Sequence, residues 1–145
     1  MNPKKKICVF SLSDRDIFPP KDMEFAKNWL LNKGENPYYF REKKPKDGLP
    51  SSSIVLFSFD GRIFGQATVK EDVQEVPLEE QKQIEKKDGF TYKHKMFFDP
   101  STVEIFRYCP TKKNITERLD KKFAQLFTYL NWEQYQEILR MARRQ

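Results

Sequence analysis

Across residues 53–70, SIVLFSFDGRIFGQATVK, two apolar runs flank a single polar pair. Ile54, Val55, Leu56, Phe57 and Phe59 form the first run, Ile63, Phe64, Ala67 and Val69 form the second, and Asp60-Gly61 lies between them. β-Branched and aromatic residues suit a pleated surface, and Asp-Gly supplies the positive φ angles of a two-residue type I′ turn, so the stretch predicts a β-hairpin. Unbroken apolarity from Ile54 to Phe57 predicts a strand covered on both faces, as at the centre of a curled sheet. Gly65 marks a place for a bulge or sharp bend.

Other elements are expected to wrap around this hairpin. Ile7-Cys8-Val9-Phe10-Ser11-Leu12 predicts a first strand that leaves into the polar turn Ser13-Asp14-Arg15-Asp16. Phe25, Ala26, Trp29 and Leu30 recur at helical spacing before Gly34, which predicts a helix over about 21–33. Pro37-Tyr38-Tyr39-Phe40 reads as an aromatic strand or strand edge, and Arg41 to Gly48 as a basic loop. The charged stretch from Glu71 to Asp88 predicts an exposed excursion with a short helix at about 78–86. Phe90 to Phe98 and Thr102 to Tyr108 predict a second hairpin, turned by Asp99-Pro100-Ser101 and paired with the first. Beyond Cys109-Pro110, Leu119, Phe123, Leu126, Phe127 and Leu130 fall on one helical face, with Asn114 and Glu117 spaced as a capping box. A last helix is expected to start at Asn131 and carry Tyr135, Ile138 and Leu139. The expected fold is α+β in a single domain over 1–145. A small, strongly curved barrel of about five to six strands spans 7–110 with an inserted helix, and C-terminal helices over 114–143 pack on it.

Composition narrows the function. The 145 residues are 38% hydrophobic and include 13 Phe, so the chain can bury a core rich in phenylalanine. A net charge of +6 favours an anionic partner, nucleic acid first and an acidic membrane surface second. Cys8 and Cys109 sit in apolar runs, as expected of reduced, buried thiols in an intracellular protein. No apolar run approaches the ~18 residues of a membrane span, and Met1 to Phe10 lacks a leader's apolar centre, so a cytoplasmic location without a membrane partner is expected.

Catalytic patterns are weak. His94 is the single histidine and the cysteines do not cluster, so neither a metal set nor a cofactor site is expected, and no catalytic residue is assigned. Pairing His94 with Cys8 or Cys109 would require a reactive thiol, whereas thiols in apolar surroundings are inert. Glu80-Gln81-Lys82 and Glu85-Lys86-Lys87 echo the Glu-x-Lys element of a nuclease but suit a solvated helix face. Arg140, Arg143 and Arg144 suggest a helix-turn-helix reader or a partner-docking pair, yet Trp132, Tyr135, Ile138 and Leu139 are expected mostly to pack, which favours docking onto the barrel.

The positive signal is an aromatic cluster beside a basic one. Reading an unpaired or flipped base takes flat faces for stacking, polar groups for its edge and cations for phosphates. Tyr38, Tyr39 and Phe40, with Trp29 from the helix, offer the faces. Ser11, Ser13 and Asp14 at the end of the first strand offer the polar groups, and Arg41, Lys43, Lys44 and Lys46 the cations. The competing reading is that alternate members of the Tyr38-Tyr39-Phe40 run fill the core and the lysines form a solvated loop.

The strand exit Phe10-Ser11-Leu12-Ser13, the helix with Trp29, and above all Ile54-Val55-Leu56-Phe57 followed by Ile63-Phe64-Gly65-Gln66-Ala67-Thr68-Val69 resemble the PUA-like superfamily, in particular its EVE, YTH and ASCH branches. That resemblance implies a small curved barrel flanked by helices and, as in EVE and YTH domains, an aromatic pocket for a modified base. It further implies a nucleic-acid-binding module, DNA favoured over RNA, serving as the specificity domain of a restriction or defence system. Any nuclease or NTPase would then lie on a fused domain or partner. An RNA-binding protein of translation or RNA modification and an ASCH-like small enzyme are the alternatives.

If the basic loop grips phosphates, Lys43→Glu with Lys44→Glu should weaken binding to all sequences about equally and flatten its salt dependence, because released counterions carry no sequence information. Titrations over a salt series measure both, and an unchanged slope would place the binding face elsewhere.

Overall fold

The computed structural model describes residues 5–12, 22–40, 44–124 and 126–143. Its elements are β1 (Ile7–Leu12), α1 (Met23–Asn32), β2 (Tyr38–Phe40), β3 (Ile54–Phe59), β4 (Arg62–Glu75), α2 (Leu78–Asp88), β5 (His94–Ile105), α3 (Lys112–Leu119), β6 (Phe127–Leu130) and α4 (Trp132–Ala142). The six strands form one curled half-barrel sheet in the order β2-β5-β4-β3-β1-β6. β1 and β3 run parallel; the other neighbours are antiparallel.

β3 explains its own apolarity. Val55, Phe57 and Phe59 join Phe10, Tyr38, Phe40, Phe64 and Phe98 in a core inside the curl, against which α1 packs. Leu56 joins Val9, Ile63, Phe106, Ile115, Tyr135 and Ile138 in a second core under α3 and α4. Successive side chains of a strand point to opposite faces, so a strand with a core on each side has no position for water. The turn at its end is as expected: Asp60 and Gly61 take φ of 53° and 73°, the left-handed pair of a type I′ turn. A bulge follows, with Phe57 opposite Gly65 but Ser58 opposite Ile63. Gly65 is also a contact point, because a Cβ there would lie 2.5 Å from Leu30 Cδ2 and 2.7 Å from the Glu104 carbonyl oxygen. Helix α1 therefore packs directly on the strand backbone.

α1 is capped by Asp22, whose Oδ1 accepts from the Phe25 N–H at 2.8 Å. The last helix starts where expected, with Asn131 Oδ1 accepting from the Gln134 N–H at 2.8 Å and Gln134 Oε1 accepting from the Asn131 N–H at 2.9 Å. Tyr135 Oη donates to Gln66 Oε1 at 2.7 Å, and Gln66 Nε2 donates to Glu104 Oε1 at 3.0 Å. Arg143 then donates from Nε and Nη2 to the same carboxylate, holding it below the usual carboxylate range. This chain of bonds fastens α4 to β4 and β5. Among the described residues no helix is long and apolar enough to cross a membrane. Both cysteines are free; Cys8 is buried, which pushes its thiol up to about 12, and Cys109 is half-buried.

Three segments differ from expectation. Asp99-Pro100-Ser101 does not reverse the chain, so the predicted second hairpin is one bent strand, β5, paired with β4 on both sides of Pro100. Local hydrogen bonds replace the missing ladder there: Ser101 N–H to Asp99 Oδ1 at 3.0 Å, Thr68 N–H to Thr102 Oγ1 at 2.8 Å, and Thr102 Oγ1 to the Asp99 carbonyl at 2.7 Å. The expected excursion begins later, since β4 continues to Glu75 before α2. Finally, the helix expected to run through Leu130 starts at a Thr111 cap and stops at Leu119, where Asp120 turns left-handed at φ 51°. Phe127–Leu130 instead form β6, antiparallel to β1 from Phe10↔Phe127 to Ile7↔Leu130. Phe127-Thr128-Tyr129-Leu130 is too short a run for its apolar spacing to separate helix from strand, and the open edge of β1 decides for a strand.

Two glycines should respond differently to substitution. At Gly61 no atom lies within 4 Å of an added Cβ, so Gly61→Ala should cost only the left-handed penalty of about 1–2 kcal/mol. At Gly65 the added methyl meets backbone as well as side chain, so Gly65→Ala should cost at least as much, about 1–3 kcal/mol, by displacing α1. Denaturant unfolding measures both, and an unaltered midpoint for Gly65→Ala would mean that α1 does not sit on the strand.

Candidate nucleic-acid interface

The parallel strands β1 and β3 end side by side, with Ser11 opposite Ser58 and Leu12 opposite Phe59. α3 begins at the same edge. The Lys112 N–H donates to the Gly61 carbonyl at 2.8 Å, and Thr111 bridges to Arg62, so the hairpin turn positions the first turn of the helix. From there the Lys112 side chain reaches back across the strand ends, and its Nζ donates to Ser11 Oγ at 2.7 Å. Ser58 Oγ, buried, lies 3.5 Å from Ser11 Oγ, and the Phe123 ring centroid is 5.5 Å from Nζ.

The electrostatics of this corner are unusual for a lysine. Burial pushes the Lys112 ammonium below its ordinary pKa, and no carboxylate among the described residues pairs with it. A partly desolvated cation that, among the described residues, meets a hydroxyl and a ring favours an incoming anionic or carbonyl oxygen. The two serine hydroxyls add a donor and acceptor pair beside it.

No family model and no curated protein matches the sequence. Solved structures do match. The ASCH protein of Zymomonas mobilis superposes with a TM-score of 0.59 at 15% identity, covering 94% of this chain and 95% of that one. A point variant of the same protein gives 0.57 at 15% identity, covering 94% and 96%. The YTH domain of a Zygosaccharomyces rouxii protein, in complex with N6-methyladenosine RNA, gives 0.55 at 14% identity, covering 99% and 90%. The fold is the one seen in these ASCH and YTH structures. At these identities the likeness is one of fold, and it spans the half-barrel together with its helices.

Within the sheet, the residues expected to form one pocket are distributed over different places. Ser11 stands at the corner just described. Trp29, Tyr38 and Phe40 lie on the inner face: Phe10 meets Tyr38 at 5.5 Å and Phe40 at 5.9 Å between centroids, and Trp29 packs edge-on to Tyr38 at 5.8 Å. Tyr38 and Phe40 are 8% and 4% exposed, so alternate members of the aromatic run do fill the core. Tyr39 points outward instead, donating to Glu80 Oε2 at 2.6 Å with Tyr92 5.6 Å away. Glu80 also takes Lys95 Nζ at 3.0 Å, which ties α2 to the β2–β5 edge. Lys44 and Lys46 are exposed on a loop at the amino end of β1, the other end of that strand from Ser11, where Lys6 Nζ donates to the Gly48 carbonyl at 3.3 Å. Ser13, Asp14, Arg41 and Lys43 lie outside the described residues.

The corner also holds residues that sequence reasoning missed. Ser58 had a signal, as the one polar position in the run Ile54–Phe59. Lys112 and Phe123 had none, since Lys112 is separated from Ser11 by 101 positions and only the fold brings them together. Among the described residues no group of three or more His, Cys, Asp or Glu converges as a metal site would require.

Truncations of the aromatic run should divide by face. Tyr38→Ala and Phe40→Ala each empty core volume and should cost about 3–5 kcal/mol of stability. Tyr39→Ala loses an outward ring and one hydrogen bond to a carboxylate, about 1.5–3 kcal/mol. Unfolding midpoints of the three variants test the division, and a Tyr39 loss larger than the other two would reverse it.

Proposed function

We propose that the protein binds nucleic acid and takes an unpaired or extruded base, modified bases included, at the carboxyl ends of β1 and β3. The observation that carries this reading is Lys112, half-buried, bonded to Ser11 and without a carboxylate partner among the described residues. In this arrangement Lys112 meets a phosphate or base carbonyl oxygen, Ser11, backed by the buried Ser58, addresses the polar edge of the base, and Phe123 offers a flat face. Ser13 and Asp14 come one residue after Ser11, beyond Leu12, and are proposed to extend the polar edge. Lys44 and Lys46, with Arg41 and Lys43, are proposed to contact flanking phosphates, and Tyr39 to stack on a flanking base. Trp29, Tyr38 and Phe40 support the sheet from within.

The net charge of +6 and the PUA-like fold support the class of partner. RNA is favoured by the similar YTH domain, which is in complex with methyladenosine RNA. Preference for DNA, and a place as the specificity domain of a restriction or defence system with its nuclease or NTPase elsewhere, rest on the sequence resemblance. One observation supports a second reading, a small ASCH-like enzyme: a lysine of lowered pKa 2.7 Å from a hydroxyl is an arrangement that activates a nucleophile.

Binding to matched RNA and DNA oligonucleotides, with and without base methylation, tests the first reading. Lys112→Ala should weaken binding about 10- to 100-fold, as expected for losing a hydrogen bond to a charged group, and should lower the salt slope by about one. Because burial depresses the pKa of Lys112, wild-type affinity should fall on raising the pH sooner than an ordinary lysine would cause, and the variant should lack that limb. Oligonucleotides bound equally by wild type, Lys112→Ala and Ser11→Ala would remove the site, and turnover abolished by both substitutions would favour the enzyme.

A further inference from the structure

We infer that the groove between α1, α3, α4 and residues 107–110 is a track for the single-stranded flank of the bound nucleic acid; this rests on the reading above. The groove encloses about 930 Å³. Among the described residues its walls carry the cations Lys27, Arg62, Arg107, Arg118 and Arg140, against the carboxylates Glu117 and Glu137. Glu137 is already engaged by two of those cations, Arg118 Nε at 2.9 Å and Arg140 Nη1 at 2.8 Å. Two cations thus share one carboxylate, and among the described residues Lys27, Arg62 and Arg107, toward α1 and the hairpin, outnumber the remaining Glu117.

A stacking surface accompanies the charge. Tyr108 is 43% exposed, and the Arg107 guanidinium lies 5.4 Å from its centroid. Its backbone is fixed, since the Tyr108 N–H donates to the Ala142 carbonyl at 3.1 Å. Cations beside an exposed aromatic in one groove are what an unpaired strand requires, with phosphates along the charge and a base on the ring. A duplex presents no free base face, whereas an unpaired strand offers a base to the ring and phosphates to the cations.

The groove also joins the proposed base site. Arg62 lines it, and Arg62 pairs with Thr111, the residue before Lys112. A strand whose base occupies the corner at Ser11 thus continues past Arg62 into the groove. The charge on Lys27 and Arg107 then acts on nucleotides beyond the recognised one.

The test compares ligands of different length on the full chain: a mononucleotide, single-stranded RNA and DNA of about eight nucleotides, and the matching duplexes. Wild type should bind the oligonucleotide more tightly than the mononucleotide and more tightly than the duplex. Lys27→Ala combined with Arg107→Ala should remove about tenfold or more of that length-dependent gain and lower the salt slope by about 1.4, while mononucleotide affinity stays the same. Tyr108→Ala should reduce the gain with little change in slope. Retention of full oligonucleotide affinity and slope by the double variant, equal binding of duplex, or displacement by an acidic peptide alone would overturn the track. Loss of gain in the groove variants with no effect of Lys112→Ala would instead overturn the base site and leave the track standing. A wild-type protein that binds none of these ligands would overturn both.

Discussion

Burial of β3 on both faces is the constraint from which the rest of the molecule follows. Val55 to Phe59 are all buried, so neither face of the sheet at its centre meets water. Each such side chain contributes about 1.5–3 kcal/mol only while it is covered, which makes two packing layers obligatory. Phenylalanines closed over by α1 form the layer inside the curl, and α3 with α4 form the other. Gly65 admits α1 to van der Waals contact with the strand backbone, and the bonds from Tyr135 through Gln66 and Glu104 to Arg143 hold α4 in register.

The same constraint places the candidate site. A parallel pair at the sheet centre brings two strand ends to one edge, and both strands turn polar there, at Ser11 and Ser58 in register. α3, obliged to cover the outer layer, starts at this edge and delivers Lys112. The pleat then separates the chemistry: Phe10 points into the ring cluster, and Ser11, the next residue, bonds to a lysine of α3. A polar site on the helix side and an aromatic core on the inner side are thus two consequences of one strand.

Charge count alone would not have singled out Lys112 among the 27 Lys and Arg residues of the chain. An exposed lysine is satisfied by water and an exposed ion pair adds little. The contrast with Lys95 is instructive, because that ammonium and the Tyr39 hydroxyl both spend their bonds on Glu80 and so pin α2 to the sheet. Lys112, among the described residues, meets a hydroxyl and a ring and no carboxylate, which is the basis for proposing it as a ligand contact. Similar residue types do structural work in one place and are available for binding in the other.

Elements decided by neighbouring residues were legible in the sequence. Asp60-Gly61 demands its turn because few residues tolerate positive φ, Asn131 with Gln134 caps α4 by local hydrogen bonds, and the unbroken run Ile54–Phe57 could only be a strand covered twice. Together with the Ile63 to Val69 pattern, these carried the likeness to PUA-like domains. Other features depend on a partner distant in sequence. Asp99-Pro100-Ser101 has the residues of a turn, and only pairing with β4 on both sides makes it a bulge within β5 rather than a reversal of the chain. Phe127 to Leu130 has a spacing that suits helix or strand, and the unpaired edge of β1 decides. Alternation in Tyr38-Tyr39-Phe40 was readable, but which parity faces inward is set by its register with β5, Tyr38↔Met96. The meeting of Ser11 with Lys112 is of the same kind: local preferences act over a few residues, whereas this contact exists only because burying β3 on its second face brings α3 to the end of β1.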